Sequence, residues 1–158
     1  MKLGDFGTFV IFTAIYAAGT LGLPKVTLLA YPVRIGEIPS AFVAIFGLPA
    51  VLGLTLGQFI ANIGVEASPL ASLTPAFSFV GLLAIYYSRK ISTLAGCIAY
   101  ILITSAWLTF LLPIVSSVPM TLAGYSAFAG QFVAVIIGYL AYLVARRSIP
   151  KPQATENN

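Results

Sequence analysis

The chain has no histidine, a single cysteine (Cys97), and only 12 formally charged side chains, 8 Lys+Arg and 4 Asp+Glu, among 158 residues. Each scarcity excludes something. Without histidine, the commonest general base and metal ligand are missing. One cysteine permits no disulfide within the chain. So few charges cannot solvate a surface, and residues 6–24, 38–65, 67–88 and 91–145 carry none at all. No acid pair on one helix, metal-ligand cluster or nucleotide-binding glycine loop stands out, so the sequence does not read as an enzyme.

What is abundant is hydrophobic: 59% of residues, of which 11 are Phe and 8 Tyr. A spanning helix needs about 20 mostly apolar residues, so the uncharged runs read as membrane segments and 91–145 holds two. The net charge of +4 does not form a nucleic-acid stripe, because the basic residues flank apolar runs. Asp5 lies in the stretch where a signal peptide would be basic, and no A-x-A site follows, so the first segment reads as a retained helix.

The expected spans are about 7–23, 70–88, 92–113 (stopped by Pro113) and 120–146, with residues 33–64 between them. Gly47-Leu48-Pro49 splits that stretch into two short helices, since a glycine stop is followed by a proline suited to a first turn. Six spans place Lys2, Arg89, Lys90, Arg146, Arg147 and Lys151 on one side, leaving Lys25 and Arg34 opposite. Five spans would separate Arg89-Lys90 from Arg146-Arg147. The positive-inside rule favours six, with both termini cytoplasmic. Helices of about 16 residues are about 24 Å long, short of the ~30 Å hydrocarbon core, so they tilt or are shielded; a re-entrant hairpin gives the same sidedness. The expectation is an all-α membrane domain over 1–148 and a disordered polar tail over 149–158.

Polar residues gather in the expected external half. Arg34 and Glu37 share a side of helix 2, as an interfacial ion pair or as part of a site. Gln58, Asn62 and Glu66 form a stripe on helix 3, either bonding between helices or facing a cavity. Beside it Gly53, Gly57 and Ala61 allow close helix approach, as do Gly130, Ala134 and Gly138 on helix 6 and Ala14, Ala18 and Gly22 on helix 1. Helix 5 carries Cys97, Tyr100, Thr104 and Trp107, the tryptophan being an interface anchor or a stacking surface. Tyr125, Ser126 and Gln131 lie on helix 6. Arg34, Glu37, Asn62, Glu66, Trp107 and Gln131 together suggest a small-molecule pocket.

The run VRIGEIPSAFVAIFGLPAVLGLTLGQFIAN (33–62) resembles the signature of the QueT family, membrane S-components of energy-coupling factor (ECF) transporters. Arg34, Ile35, Glu37, Gly53, Gly57, Ala61 and Asn62 carry the likeness, with a weaker echo in GQFVAVIIGYLAYLVARR (130–147). Gly36-Glu37-Ile38-Pro39 stands where the family usually has Ser-Glu-Ala-Leu, and EASPLASLTP (66–75) also departs from it. The resemblance implies a six-helix bundle in the cell membrane with cytoplasmic termini, binding a queuosine precursor such as a 7-deazaguanine base. It implies partners too: a transmembrane coupling protein, docking on Ala14 and Ala18, and two ATPases that hydrolyse the ATP. No cofactor or metal is expected in this chain. For such a ligand, Glu37 or Glu66 would accept the N1–H and amine pair, Asn62 or Gln131 would read the carbonyl edge, and Trp107 would stack, worth ~1–3 kcal/mol by analogy with base stacking. Residues 23–33 would form a lid. Alternatives are an S-component for another vitamin-like molecule, a stand-alone ion-coupled carrier using Glu37 or Glu66 as relay, and a purely structural membrane subunit.

Overall fold

The computed structural model describes residues 3–22, 35–65 and 69–148. Among these, all regular structure is helical: α1 (Leu3–Leu21), α2 (Ile35–Phe46), α3 (Leu48–Val65), α4 (Thr74–Ser88), α5 (Thr93–Ser116) and α6 (Met120–Ser148). The expected lid, the C-terminal tail, Arg34 and Glu66 lie outside the described residues. Four segments are long and apolar enough to cross a membrane: Leu3–Leu21, Ala71–Ser88, Thr93–Val115 and Met120–Ser148. α2 and α3 are the two shorter apolar helices, as the Gly47 break requires. The chain is a helical membrane protein, and its outer surface agrees: Phe6, Val10, Ile11, Leu102, Phe110, Ile137 and Leu140 all point outward. Burial of that surface from water falls to lipid.

Local chemistry explains where the elements begin and end. Pro39 lies inside α2 and cannot donate a backbone bond; Ile35–Phe42 is wound as a 3-10 helix, and only Val43–Phe46 is α-helical. Gly47 has φ +70°, a value that glycine adopts without steric cost. Its N–H donates to Val43 O at 2.9 Å, and Pro49 then occupies the first turn of α3. α5 is capped by Ser92, whose Oγ accepts from Ala95 N at 3.2 Å. Pro113 does not end α5 as expected. The helix runs on to Ser116 and stops at the left-handed Ser117, because a proline so near the end removes one ladder bond without blocking the final turn.

The helices close into a ring. α1 packs on α3, α3 on α4, α4 on α5, α5 on α6, α6 on the 3-10 part of α2, and that part of α2 on α1. The small-residue tracks make two of these seams. A Cβ on Gly53 would meet Phe9 O at 2.5 Å, and one on Gly57 would meet Thr13 O at 2.6 Å. The register advances by four on both helices, so α1 and α3 run parallel with backbones nearly in contact. A Cβ on Gly138 would collide with Ile38 O, which seats α2 on α6. α4 and α5 are antiparallel, since Gly81 faces Tyr100 and Gly96 faces Ile85.

All four described basic residues sit at one end, hereafter the Gly47 end. Arg89 stacks over Tyr86 at 4.2 Å with its guanidinium beside Gly47; Lys90 follows it, and Arg146 reaches Tyr142 OH at 3.5 Å next to Arg147. The opposite end of the bundle is the Ile35 end. A central apolar core includes Tyr16, Val51, Leu54, Leu82, Ile85, Tyr100, Ile101 and Val135. A smaller cluster of Ala71, Leu108, Leu111 and Ala127, backed by Trp107, lies nearer the Ile35 end.

Candidate functional site

Glu37 lies in the first turn of α2 and is 1% exposed. It is therefore not an interfacial residue in contact with headgroups. A carboxylate so placed needs hydrogen-bond donors, because burying an unpaired charge is among the costliest things a fold can do. Two phenols supply them. Tyr16 OH, from α1, donates to Glu37 Oε1 at 2.8 Å, and Tyr100 OH, from α5, donates to Oε2. Hydrogen bonds to a charged group contribute roughly 1.5–3 kcal/mol each. The Glu37 backbone carbonyl also accepts from Ser40 Oγ, so both ends of this residue are held.

The neighbouring glycines make the arrangement possible. A Cβ on Gly36 would lie 2.6 Å from Thr20 Oγ1 and 3.2 Å from the Tyr16 ring, so a bare backbone lets α2 press against α1. A Cβ on Gly81 would lie 2.6 Å from Tyr100 Cδ2, which leaves the Tyr100 ring its place against α4. Ser78 Oγ lies within hydrogen-bonding reach of the Tyr100 phenol, at a geometry that leaves it unsatisfied.

The other expected site residues are distributed as follows. Gln58 and Asn62 are buried at 1% and 4% exposure, as a stripe facing protein requires. Asn62 Nδ2 donates to Ala71 O at 3.0 Å, so its donor ties α3 to the approach of α4. Among the described residues Gln58 Nε2 has no hydrogen-bond partner, and neither has Gln131 Oε1. Trp107 is half-buried; its Nε1 donates to Thr74 Oγ1 at 3.1 Å, and its ring stacks on Phe77 at 4.1 Å and 11°. One face of the indole is thus already covered. Thr104 Oγ1 bonds back to Tyr100 O at 2.8 Å. Tyr125 is 76% exposed, whereas Ser126 is buried. Ala14 and Ala18 lie exposed on the outer face of α1, with Tyr16 between them in sequence but turned inward.

Sequence reasoning missed Tyr16 entirely and placed Tyr100 only among the residues carried by helix 5. A tyrosine in an apolar helix reads as an interface anchor. The signal available was Glu37 itself: an acid within an apolar segment needs donors, and in a chain with so few charges tyrosine hydroxyls are among those on offer. Among the described residues no group of His, Cys, Asp and Glu is placed to hold a metal ion. No protein-family model, no curated protein and no solved structure matches the chain.

Proposed function

We propose that this chain is the substrate-binding subunit of a membrane uptake system, of the ECF S-component kind, and that its ligand is a 7-deazaguanine base. The observation that carries the reading is Glu37: a carboxylate sealed inside a ring of apolar helices, fixed by a phenol on each oxygen. Each carboxylate oxygen has two lone pairs, so one on each remains for a paired N–H donor edge such as the N1–H and amine of a deazaguanine. The resemblance of residues 33–62 to the QueT signature supplies the ligand class. In this reading the chain crosses the cell membrane six times. The clustering of Arg89, Lys90, Arg146 and Arg147 at the Gly47 end supports a cytoplasmic location for that end and both termini. A coupling protein docks on the exposed Ala14 and Ala18, and two ATPases drive uptake.

The test is direct binding. The full chain, purified in detergent, is titrated with 7-deazaguanine; absence of binding at tens of micromolar refutes the substrate. Co-expression with an ECF coupling module then decides the transport role. Replacing Ala14 and Ala18 with tryptophan should abolish uptake and spare ligand binding. Uptake that persists without the ATPases favours the ion-coupled carrier, with Glu37 as its relay.

A further inference from the structure

Among the described residues, five buried polar atoms have no hydrogen-bond partner: Thr20 Oγ1, Gln58 Nε2, Ser78 Oγ, Ser105 Oγ and Gln131 Oε1. They come one each from α1, α3, α4, α5 and α6, the five long members of the ring. Their register is regular. Each stands four residues from a member of the central apolar core: Thr20 from Tyr16, Gln58 from Leu54, Ser78 from Leu82, Ser105 from Ile101, Gln131 from Val135. On the helices that run toward the Ile35 end (α1, α3, α5) the orphan follows its core residue. On those that run away (α4, α6) it precedes it. Residues four apart share a helix face, so all five atoms lie on core-facing stripes, one turn or about 6 Å nearer the Ile35 end.

The contacts of Asn62 with Ala71, Trp107 with Thr74 and Gly124 with Thr109 set Gln58, Ser78, Ser105 and Gln131 at similar heights. These four form a polar layer between the central core and, along α5 and α6, the smaller cluster containing Leu108 and Ala127, while Thr20 stands higher, against Gly36. Glu37, gripped by Tyr16 and Tyr100 of the core, borders the same layer. Orphaned buried donors and acceptors are costly in a folded chain, and four in one layer call for a common partner. An apolar ligand cannot be that partner. An anion is disfavoured too, since among the described residues the charged side chain bordering the layer is Glu37.

From this register we infer that the polar layer is the ligand chamber. It takes a flat, uncharged or cationic heterocycle, its faces against the two apolar clusters and its polar rim on the helices. Gln58 is then a ligand contact in its own right, donating from Nε2, and Gln131 is the facing acceptor. Trp107, committed to Phe77 and Thr74, lines the cap. The inference rests on the ligand-binding reading above and specifies where and how the ligand is held.

Gln58→Leu in the full chain, purified in detergent, separates the possibilities. Leucine keeps the volume and removes the orphaned amide, so the unliganded unfolding temperature should stay or rise, while affinity for 7-deazaguanine should fall at least tenfold, about 1.4 kcal/mol. Ser105→Ala, the milder change, should leave unliganded stability intact and weaken binding severalfold. Lower unliganded stability in both variants would show that these atoms have structural partners. Unchanged affinity in both would show a layer filled by water alone. Either result overturns the inference. If the wild type ignores 7-deazaguanine but binds guanine, a pterin or a pyrimidine base, the proposed substrate falls, and the layer is judged on that ligand by the same two readouts. A wild type that binds none of them overturns both.

Discussion

Gly57→Ala tests the link between helix packing and the site. A methyl at this position would lie 2.6 Å from Thr13 O and 2.8 Å from Tyr16 Cβ, against 3.4 Å or more for ordinary contact. The atoms in the way belong to the α1 backbone and a Cβ, neither of which can swing aside. α1 must therefore retreat from α3 by roughly 0.6 to 0.8 Å, an overpacking strain of about 1–3 kcal/mol. That retreat carries Tyr16 with it and loosens its 2.8 Å bond to Glu37, a charged hydrogen bond worth about 1.5–3 kcal/mol. The higher helix propensity of alanine returns about 1 kcal/mol. The net expectation is a loss of about 1.5–5 kcal/mol, with ligand affinity falling as well. Gly7→Ala is the control, because nothing lies within 4 Å of its Cβ position; it should be neutral or slightly stabilising. Denaturant unfolding of both variants in one detergent, with 7-deazaguanine titrations, reads the difference. If Gly57→Ala matches Gly7→Ala in stability and affinity, the close α1–α3 seam does not position Tyr16 and the argument fails.

Glu37→Gln replaces two acceptors by one acceptor and one donor, so affinity for a ligand presenting a paired N–H edge should fall tenfold or more; equal affinity in a titration would remove Glu37 from the site. Tyr100→Phe deletes one of the two donors to Glu37 and should cost about 1.5–3 kcal/mol of stability. In a double-mutant cycle with Glu37→Gln the two losses should be less than additive, and strict additivity would mean the contact carries no energy. The sidedness of the chain is open to cysteine labelling in a Cys97→Ser background, Cys97 itself being fully buried. A membrane-impermeant maleimide added to intact cells should label Ser117→Cys and spare Lys90→Cys, and the reverse pattern would invert the topology.

Much of the helical architecture could be read from the residues. Uncharged runs marked the segments, and Gly47-Leu48-Pro49 marked the break between α2 and α3, because positive φ and a first-turn proline are local demands that local chemistry meets. The tracks of Gly53, Gly57 and Gly138 announced close approach for the same reason: absence of a side chain is visible in a sequence. The partner across each seam was not. That α1 lies parallel on α3, and α2 on α6, depends on how six helices close a ring, and the sequence of one helix says nothing about which neighbour fills its groove. The 3-10 winding of α2 was half legible: Pro39 forbids a regular α-helix there, but the contact of Gly138 with Ile38 is what holds the alternative.

The site shows the same division more sharply. Glu37 drew notice because a charge is rare in this chain, and an edge position looked cheapest for it when membrane insertion alone was considered. That comparison omitted the protein as a solvent. Two tyrosines from helices far apart in sequence lower the cost of burial by a directed hydrogen bond each, which no composition or periodicity reveals. Once Glu37 is buried, the bare Gly36 beside it gains a reason: a Cβ there would crowd Thr20 Oγ1 and the ring of Tyr16, the residue that donates to the carboxylate.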